Sequence, residues 1–243
     1  MKYLDLTLPT PAENLACDEV LLDIAEHGIG GEVLRFWESR EHFIVVGYAN
    51  KVAAEVNVAA CEAHSIPVLR RCSGGGTVLQ GPGCLNYALI LKTEAGGPLR
   101  NIAAANRFIM ERNRDAIASA LRIPHSALAV YGHTDLVIGD RKFAGNSQRR
   151  RRHFLLFHGS LLLQLDLSLV EALLRMPSKQ PEYRQGRSHR EFLTNVNLSA
   201  DKVKTALRKA WNADRPLKTL TVEGISALAR EKYATREWNY KFQ

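Results

Sequence analysis

Apolar residues recur at helical spacing from Ala16 through Val20 to Ile24, widened by Leu21 and Leu22 into a stripe fit to face a core. Thr10 precedes Pro11 and stands three residues ahead of Glu13, a capping-box spacing with proline at the first helical position, so a helix is expected to start there. Shorter apolar runs follow. Leu34-Arg35-Phe36-Trp37 and Phe43-Ile44-Val45-Val46 read as strands, the second closed by Gly47. Asn57 is placed to cap a short helix through Ala63 that stops before Ile66-Pro67, after which Val68-Leu69-Arg70 turns extended. Cys84 to Leu91 reads as a strand and Ile102 to Leu121 as a long helix. Asp135 to Ile138, a Gly139-Asp140 turn and Arg141 to Ala144 carry a hairpin signature. Phe154 to Phe157 and Ser160 to Leu165 read as two strands on either side of His158-Gly159, followed by helices near 168–175 and 200–212 and a helix-compatible tail ending at Trp238. Strands and helices mix without regular alternation. That predicts an α+β fold, a mixed β-sheet with flanking helices, in one domain spanning 1–243.

Composition narrows the class without naming a function. A chain of 243 residues with 46% hydrophobic and 24% charged residues is long enough to bury a core and too balanced for wholesale disorder. Its 33 basic and 25 acidic residues leave +8, which favours a partner with negative charge. Four cysteines, none in a C-x-x-C pair, exclude a disulfide scaffold and a zinc finger. Asp5 and two prolines interrupt the N-terminal apolar residues, and no run approaches the roughly 20 residues that cross a bilayer, so a cytoplasmic protein with reduced thiols is expected.

Three segments carry chemistry. In Arg70-Arg71-Cys72-Ser73-Gly74-Gly75-Gly76-Thr77 a strand runs into three glycines, which free backbone amides to approach a ligand while the arginines add fixed charge. The pattern suits a phosphate or carboxylate, is neither a Walker A loop nor a Rossmann turn, and on spacing alone is matched by a plain glycine turn. Asp135 and Lys142 stand on the two arms of one hairpin, ahead of Gly145-Asn146-Ser147-Gln148. A lysine beside a small-residue turn can reach an anion as a point charge; an exposed strand lysine is the plainer reading. His158-Gly159-Ser160 opens a strand, and no serine-hydrolase elbow accompanies it.

Taken in order, these segments resemble the lipoate–protein ligase A family within the biotin/lipoate ligase superfamily. The resemblance covers most of the chain, from Asn14-Leu15-Ala16-Cys17-Asp18-Glu19 to Trp238-Asn239-Tyr240, and centres on Arg70 to Val78 and on Arg141-Lys142-Phe143-Ala144-Gly145-Asn146-Ser147-Gln148. It implies a class II synthetase or biotin–lipoate ligase-like catalytic domain that uses ATP and Mg²⁺. Such enzymes activate lipoate, octanoate or a similar medium-chain acid as an acyl-adenylate and pass it to a lysine of a lipoyl-carrier protein domain. By the same resemblance Lys142 is the catalytic cation. Arg70, Arg71, Ser73, Gly74, Gly75, Gly76, Asn86, Gly145, Ser147, His158 and Gly159 bind substrate; Thr77, Val78 and Asp135 face the nucleotide. Asp135 either holds the metal or orients Lys142.

Departures from the family pattern are local. Gln80 stands where many members have histidine, Thr134 where asparagine precedes the hairpin aspartate, and Gly47-Tyr48-Ala49-Asn50 lacks an arginine. The chain stops soon after Trp238, without the small accessory domain of longer ligases; that domain is expected as a separate protein, and the chain alone is expected to adenylate poorly. A sibling reading is an octanoyl or lipoyl transferase, which needs a nucleophilic thiol near the matched lysine; Leu155 and the segment His125 to Arg141 offer none where such enzymes carry it. A non-catalytic acyl- or nucleotide-binding relative is a third reading. The run Arg149-Arg150-Arg151-Arg152 reads as a solvated face or hairpin tip, as a guide for an acidic carrier, or as a non-specific polyanion surface, but no specific nucleic-acid motif is present. No membrane partner is expected.

Overall fold

Among the described residues eight strands form a mixed sheet in the order 215–216, 2–5, 33–37, 84–92, 154–162, 141–150, 135–138 and 128–131, and three more form a small sheet in the order 68–70, 43–46 and 78–80. The computed structural model describes residues 1–218 and 220–242; Gln243, the end of the predicted domain range, lies outside the described residues. In chain order the elements are β1 (Lys2–Asp5), α1 (Pro11–Glu26), β2 (Val33–Trp37), β3 (Phe43–Val46), α2 (Val52–Glu55), α3 (Val58–Ala63), β4 (Val68–Arg70), β5 (Val78–Gln80) and β6 (Cys84–Lys92). There follow α4 (Ile102–Leu121), β7 (Leu128–Tyr131), β8 (Asp135–Ile138), β9 (Arg141–Arg150), β10 (Phe154–Leu162) and α5 (Leu167–Leu173). The chain closes through α6 (His189–Phe192), α7 (Ala200–Ala210), β11 (Arg215–Pro216), α8 (Val222–Leu228) and α9 (Arg236–Asn239). Among the described residues no helix is long and apolar enough to cross a membrane.

The predicted caps form as the sequence dictates. Thr10 and Glu13 make a complete capping box with Pro11 at the start of α1, and Asn57 caps α3 through the amide of Ala60. Two faces of the large sheet are covered. Helices α4 and α7 pack Ile109, Met110, Ile117, Val203 and Leu207 against Leu34, Leu89 and Phe157 on one face. On the other, α1 and α8 pack Leu15, Leu22 and Ile225 against Trp37, Ala88 and Leu156. A third cluster joins the small sheet to α5 through Ile44, Val46, Leu79 and Leu173. Burying side chains of this size stabilises by roughly 1.5–3 kcal/mol each relative to exposure, so these clusters rather than local propensity hold the layers together.

Two sequence expectations need correcting. His158-Gly159 does not separate two strands: β10 runs unbroken from Phe154 to Leu162, and the predicted extension to Leu165 has already left the ladder. Gly159 is there for a close approach, since a side chain on it would sit 1.8 Å from the Asn146 amide oxygen on the neighbouring strand. Likewise Gly145-Asn146-Ser147-Gln148 is no turn but the middle of β9, in full register with β10. Pattern reading also passed over β1, β5, β7 and β11, each four residues or shorter.

Candidate active site

A cavity of about 850 Å³ opens between the small sheet, the middle of the large sheet and the segment 175–187. That size lies in the range of small-molecule sites. Its floor follows one row across the large sheet. Trp37 pairs with Asn86, Asn86 with Ser160, and Ser160 with Gly145, so four adjacent strands present their side chains to the same face.

Lys142 reaches this floor because β9 carries a bulge. Leu136 pairs with Ala144 and Val137 with Lys142, which leaves Phe143 as the extra residue, its side chain fully buried in the core. Regular alternation would set Lys142 and Gly145 on opposite faces; the extra residue brings them to one face. The ammonium lies over Gly145, 2.9 Å from where a Cβ would be, and donates to Asp135 Oδ1 at 2.7 Å. The Tyr183 hydroxyl donates to the other oxygen, Oδ2, at 2.7 Å. Burial and the adjacent Asp135 carboxylate push the Tyr183 phenol well up, so it stays a donor. Both oxygens of Asp135 are thus engaged. Among the described residues no group of three His, Cys, Asp or Glu side chains could hold a metal. Of the two roles expected for Asp135, its contacts match that of a residue orienting Lys142.

The glycine loop turns its carbonyls inward. Arg71 donates to the carbonyls of Val45, Gly74 and Gly76, and Asn50 donates to that of Gly75. None of the amides from Gly74 to Thr77 donates to a backbone carbonyl among the described residues. The loop is therefore an amide cradle whose positive ends are available to an anion. Burial lowers the Arg71 guanidinium to about 10, still charged at neutral pH.

Behind the loop runs a buried polar chain. Arg35 pairs with Asp18 at 2.6 Å, the other Asp18 oxygen takes His158 Nδ1 at 3.0 Å, and His158 Nε2 meets Ser73 Oγ, which also contacts Ser147 Oγ at 2.7 Å. Burial alone would raise the Asp18 carboxyl, but Arg35 and His158 outweigh it and hold it below the usual range. The chain ties α1, the glycine loop, β9 and β10 into one unit.

Most of the expected site residues meet at the cavity. Arg71, Gly75, Gly76, Thr77 and Val78 line one wall, and Asn86, Asp135, Lys142 and Gly145 another, with Ser147, His158 and Gly159 between. Three do not line it. Arg70 is fully buried, its guanidinium spent on the carbonyls of Gly47, Tyr48, Asn50, Trp238 and Asn239, so its role is structural. Ser73 is buried behind the loop and acts through His158 and Ser147, and Gly74 faces outward. Sequence reading missed Asp18, Trp37 and Tyr183. Asp18 was detectable as a charge inside an apolar stripe; Tyr183 sits in the Arg- and Pro-rich segment 175–187, which reads as a surface loop placed to touch carrier or nucleotide but does not single out the tyrosine. The basic run is largely tied down: Arg149 donates to Cys72 O, Arg150 to Leu99 O, and Arg151 pairs with Asp23.

A mixed sheet under an amide cradle, with Lys142 held over Gly145 at the cavity floor, is the setting of an enzyme of the lipoate/octanoate ligase–transferase superfamily. The lipoyl protein ligase A/B catalytic domain is matched over residues 10–212, and the chain belongs to that family. Octanoyltransferase LipM of Halalkalibacterium halodurans is 29% identical, over 99% of this chain and 98% of its own. The bi-partite lipoate protein ligase of Thermoplasma acidophilum, described together with its E2 lipoyl domain, superposes with a TM-score of 0.82 at 25% identity, covering 100% of this chain and 96% of that one. A lipoate-protein ligase A bound with ATP superposes with a TM-score of 0.77 at 25% identity over 100% of both chains.

Proposed function

We propose that the protein attaches lipoate, or a similar medium-chain acid such as octanoate, to a lysine of a carrier domain through an acyl-adenylate made from ATP. One observation carries this choice over transfer through a cysteine: among the described residues no thiol lines the cavity, whereas Lys142 does. All four cysteines are buried, and burial pushes Cys17 to about 11 and Cys72 and Cys84 to about 12, far from the thiolate a transferase needs.

The residues suit the parts of such a reaction. Leu15, Trp37 and Val45 give an apolar wall for an acyl chain. The amides of Gly75 to Thr77, with Lys142, offer a preorganised positive surface where a carboxylate and a phosphate would meet. Arg175 and Lys179, on the far wall, add cations suited to the remaining phosphates. Mg²⁺, which keeps several waters and is commonly held through substrate phosphates, would neutralise those phosphates; among the described residues no group of three His, Cys, Asp or Glu side chains would hold it without them. The likeness to a bi-partite ligase supports a second protein as a partner in activation, and the lipoyl domain described with that ligase supports a carrier of the same kind. Four unpaired buried cysteines accord with a reducing, cytoplasmic setting.

The test is incubation with ATP, Mg²⁺, lipoate or octanoate and an apo lipoyl domain, followed by intact-mass measurement and pyrophosphate release. A mass gain of one acyl amide that requires ATP supports the ligase. The same gain from an octanoyl-carrier donor without ATP, with a thioester trapped on the protein, replaces it with the transferase.

A further inference from the structure

At the floor of the cavity three polar side chains are linked and two of their atoms are left over. The Gln80 amide donates to Ser160 Oγ at 2.7 Å, and Ser160 Oγ donates to Asn86 Oδ1 at 2.6 Å. Gln80 is 8% exposed, Asn86 2% and Ser160 8%, and all three line the cavity. Gln80 Oε1 and Asn86 Nδ2 have no partner among the described residues. A buried acceptor and a buried donor left unpaired side by side are costly unless a ligand completes them. Reversing both amides and the hydroxyl only exchanges the roles: one side chain still presents a free carbonyl and the other a free NH₂.

Their place fixes what they can meet. Asn86 and Ser160 belong to the row that ends at Gly145, under the Lys142 ammonium, and neighbouring strands lie about 4.8 Å apart. Ser160 is therefore one strand spacing and Asn86 two from Gly145, and Gln80, on the small sheet, joins them through its bond to Ser160 Oγ. An acyl-adenylate in that position offers only acceptors around its reacting carbon, namely the carbonyl oxygen, the bridging oxygen and the phosphate oxygens. A free NH₂ matches the carbonyl oxygen. A free carbonyl matches none of them; it matches the N–H of an incoming amine.

We propose that Gln80 and Asn86 form an amine-orienting pair for the second step, one amide holding the acyl carbonyl oxygen as it becomes an oxyanion and the other accepting from the carrier lysine's neutral amine. This rests on the reading above that an activated acyl group lies beside Lys142. The amine nitrogen bonds to the acyl carbon, the carbon–oxygen bond to phosphate breaks, and AMP departs with that electron pair. The surplus amine proton passes to the departing phosphate or to water, since neither amide can take it. An amide at position 80 does this without a titration of its own.

The experiment supplies preformed octanoyl-AMP with an apo lipoyl domain, which isolates amide formation from activation. Gln80→Met and Asn86→Ala are expected to lower kcat for transfer about 100-fold, the usual scale for one lost oxyanion or positioning contact, with KM for the lipoyl domain within about threefold of wild type. Gln80→His is the second arm. It should transfer well at alkaline pH and lose transfer as pH falls through the imidazole range, because the protonated ring offers no acceptor; wild type should lack that limb. Wild-type kcat in Gln80→Met, or a wild-type pH profile in Gln80→His, overturns the pair. If wild type transfers from octanoyl-AMP yet releases no pyrophosphate from ATP and acid even when the second subunit of a bi-partite ligase is added, the activation step falls and the pair stands. A wild-type chain inert with octanoyl-AMP overturns both.

Discussion

The Lys142 ammonium and the Asp135 carboxylate meet at 2.7 Å across a hairpin, over a glycine that leaves room for them. Each strand alone would leave its charge pointing at solvent; the bulge at Phe143 makes the meeting possible. Lys142→Ala should abolish acyl transfer to the carrier by at least about 10³-fold, in line with loss of a preorganised charge at a reacting centre. Asp135→Asn keeps the cation but frees it to swing, and a loss on the order of 10-fold is expected. Steady-state kinetics with a lipoyl domain separates the two.

Gly145→Ala tests the room above the strand. The new methyl would lie 2.9 Å from both Cε and Nζ of Lys142, atoms at the free end of a flexible chain, so the ammonium should move rather than the backbone. Activity is expected to fall about 10- to 100-fold while the melting temperature stays within about 2 °C of wild type. A large fall in melting temperature would mean the strand, not the lysine, had yielded.

Arg70 should behave as a structural residue despite its place beside the glycine loop. Its guanidinium holds five carbonyls of the segments 47–50 and 238–239 and is lost to solvent entirely. Arg70→Lys cannot span those acceptors and should destabilise by about 2–4 kcal/mol, read from urea midpoints. KM for the acid should be unchanged in the fraction that folds.

Asp18 gives a pH dependence of known sign. Its native pKa lies below the unfolded value of about 3.9, so it contributes stability above that pH and loses it as pH falls through the native value. Wild type should weaken steeply below about pH 4. Asp18→Asn should be less stable at neutral pH and show a shallower acid limb; parallel limbs would place the acid sensitivity elsewhere.

The sequence made the helices legible because their signals are local: Thr10 with Glu13, Asn57, and the run from Ile102 to Leu121 need no distant partner. The glycine loop and the hairpin lysine were singled out only through the family resemblance, since on local spacing a plain glycine turn and an exposed strand lysine fit as well. What escaped depends on contacts far apart in the chain. Arg70 reads as a ligand-facing cation until α9 is folded onto it, 168 residues away. The bulge at Phe143 has no residue signature, so nothing in the sequence shows that Lys142 and Gly145 share a face. Asp18 and Tyr183 become site residues only when α1 and the segment 175–187 close on the sheet.

Strand β4 ends the small sheet, and its outer edge is met not by another strand but by the last residues of the chain. Trp238 Nε1 donates to the carbonyl of Arg70, and Asn239 Oδ1 accepts from the amide of Arg70. Removing Trp238 and Asn239 would bare the backbone N–H and C=O of Arg70 at that edge and take two of the five carbonyls from its guanidinium. Trp238 and Asn239 thus cover the free edge of β4, and loss of that cover would favour edge-to-edge pairing with another strand.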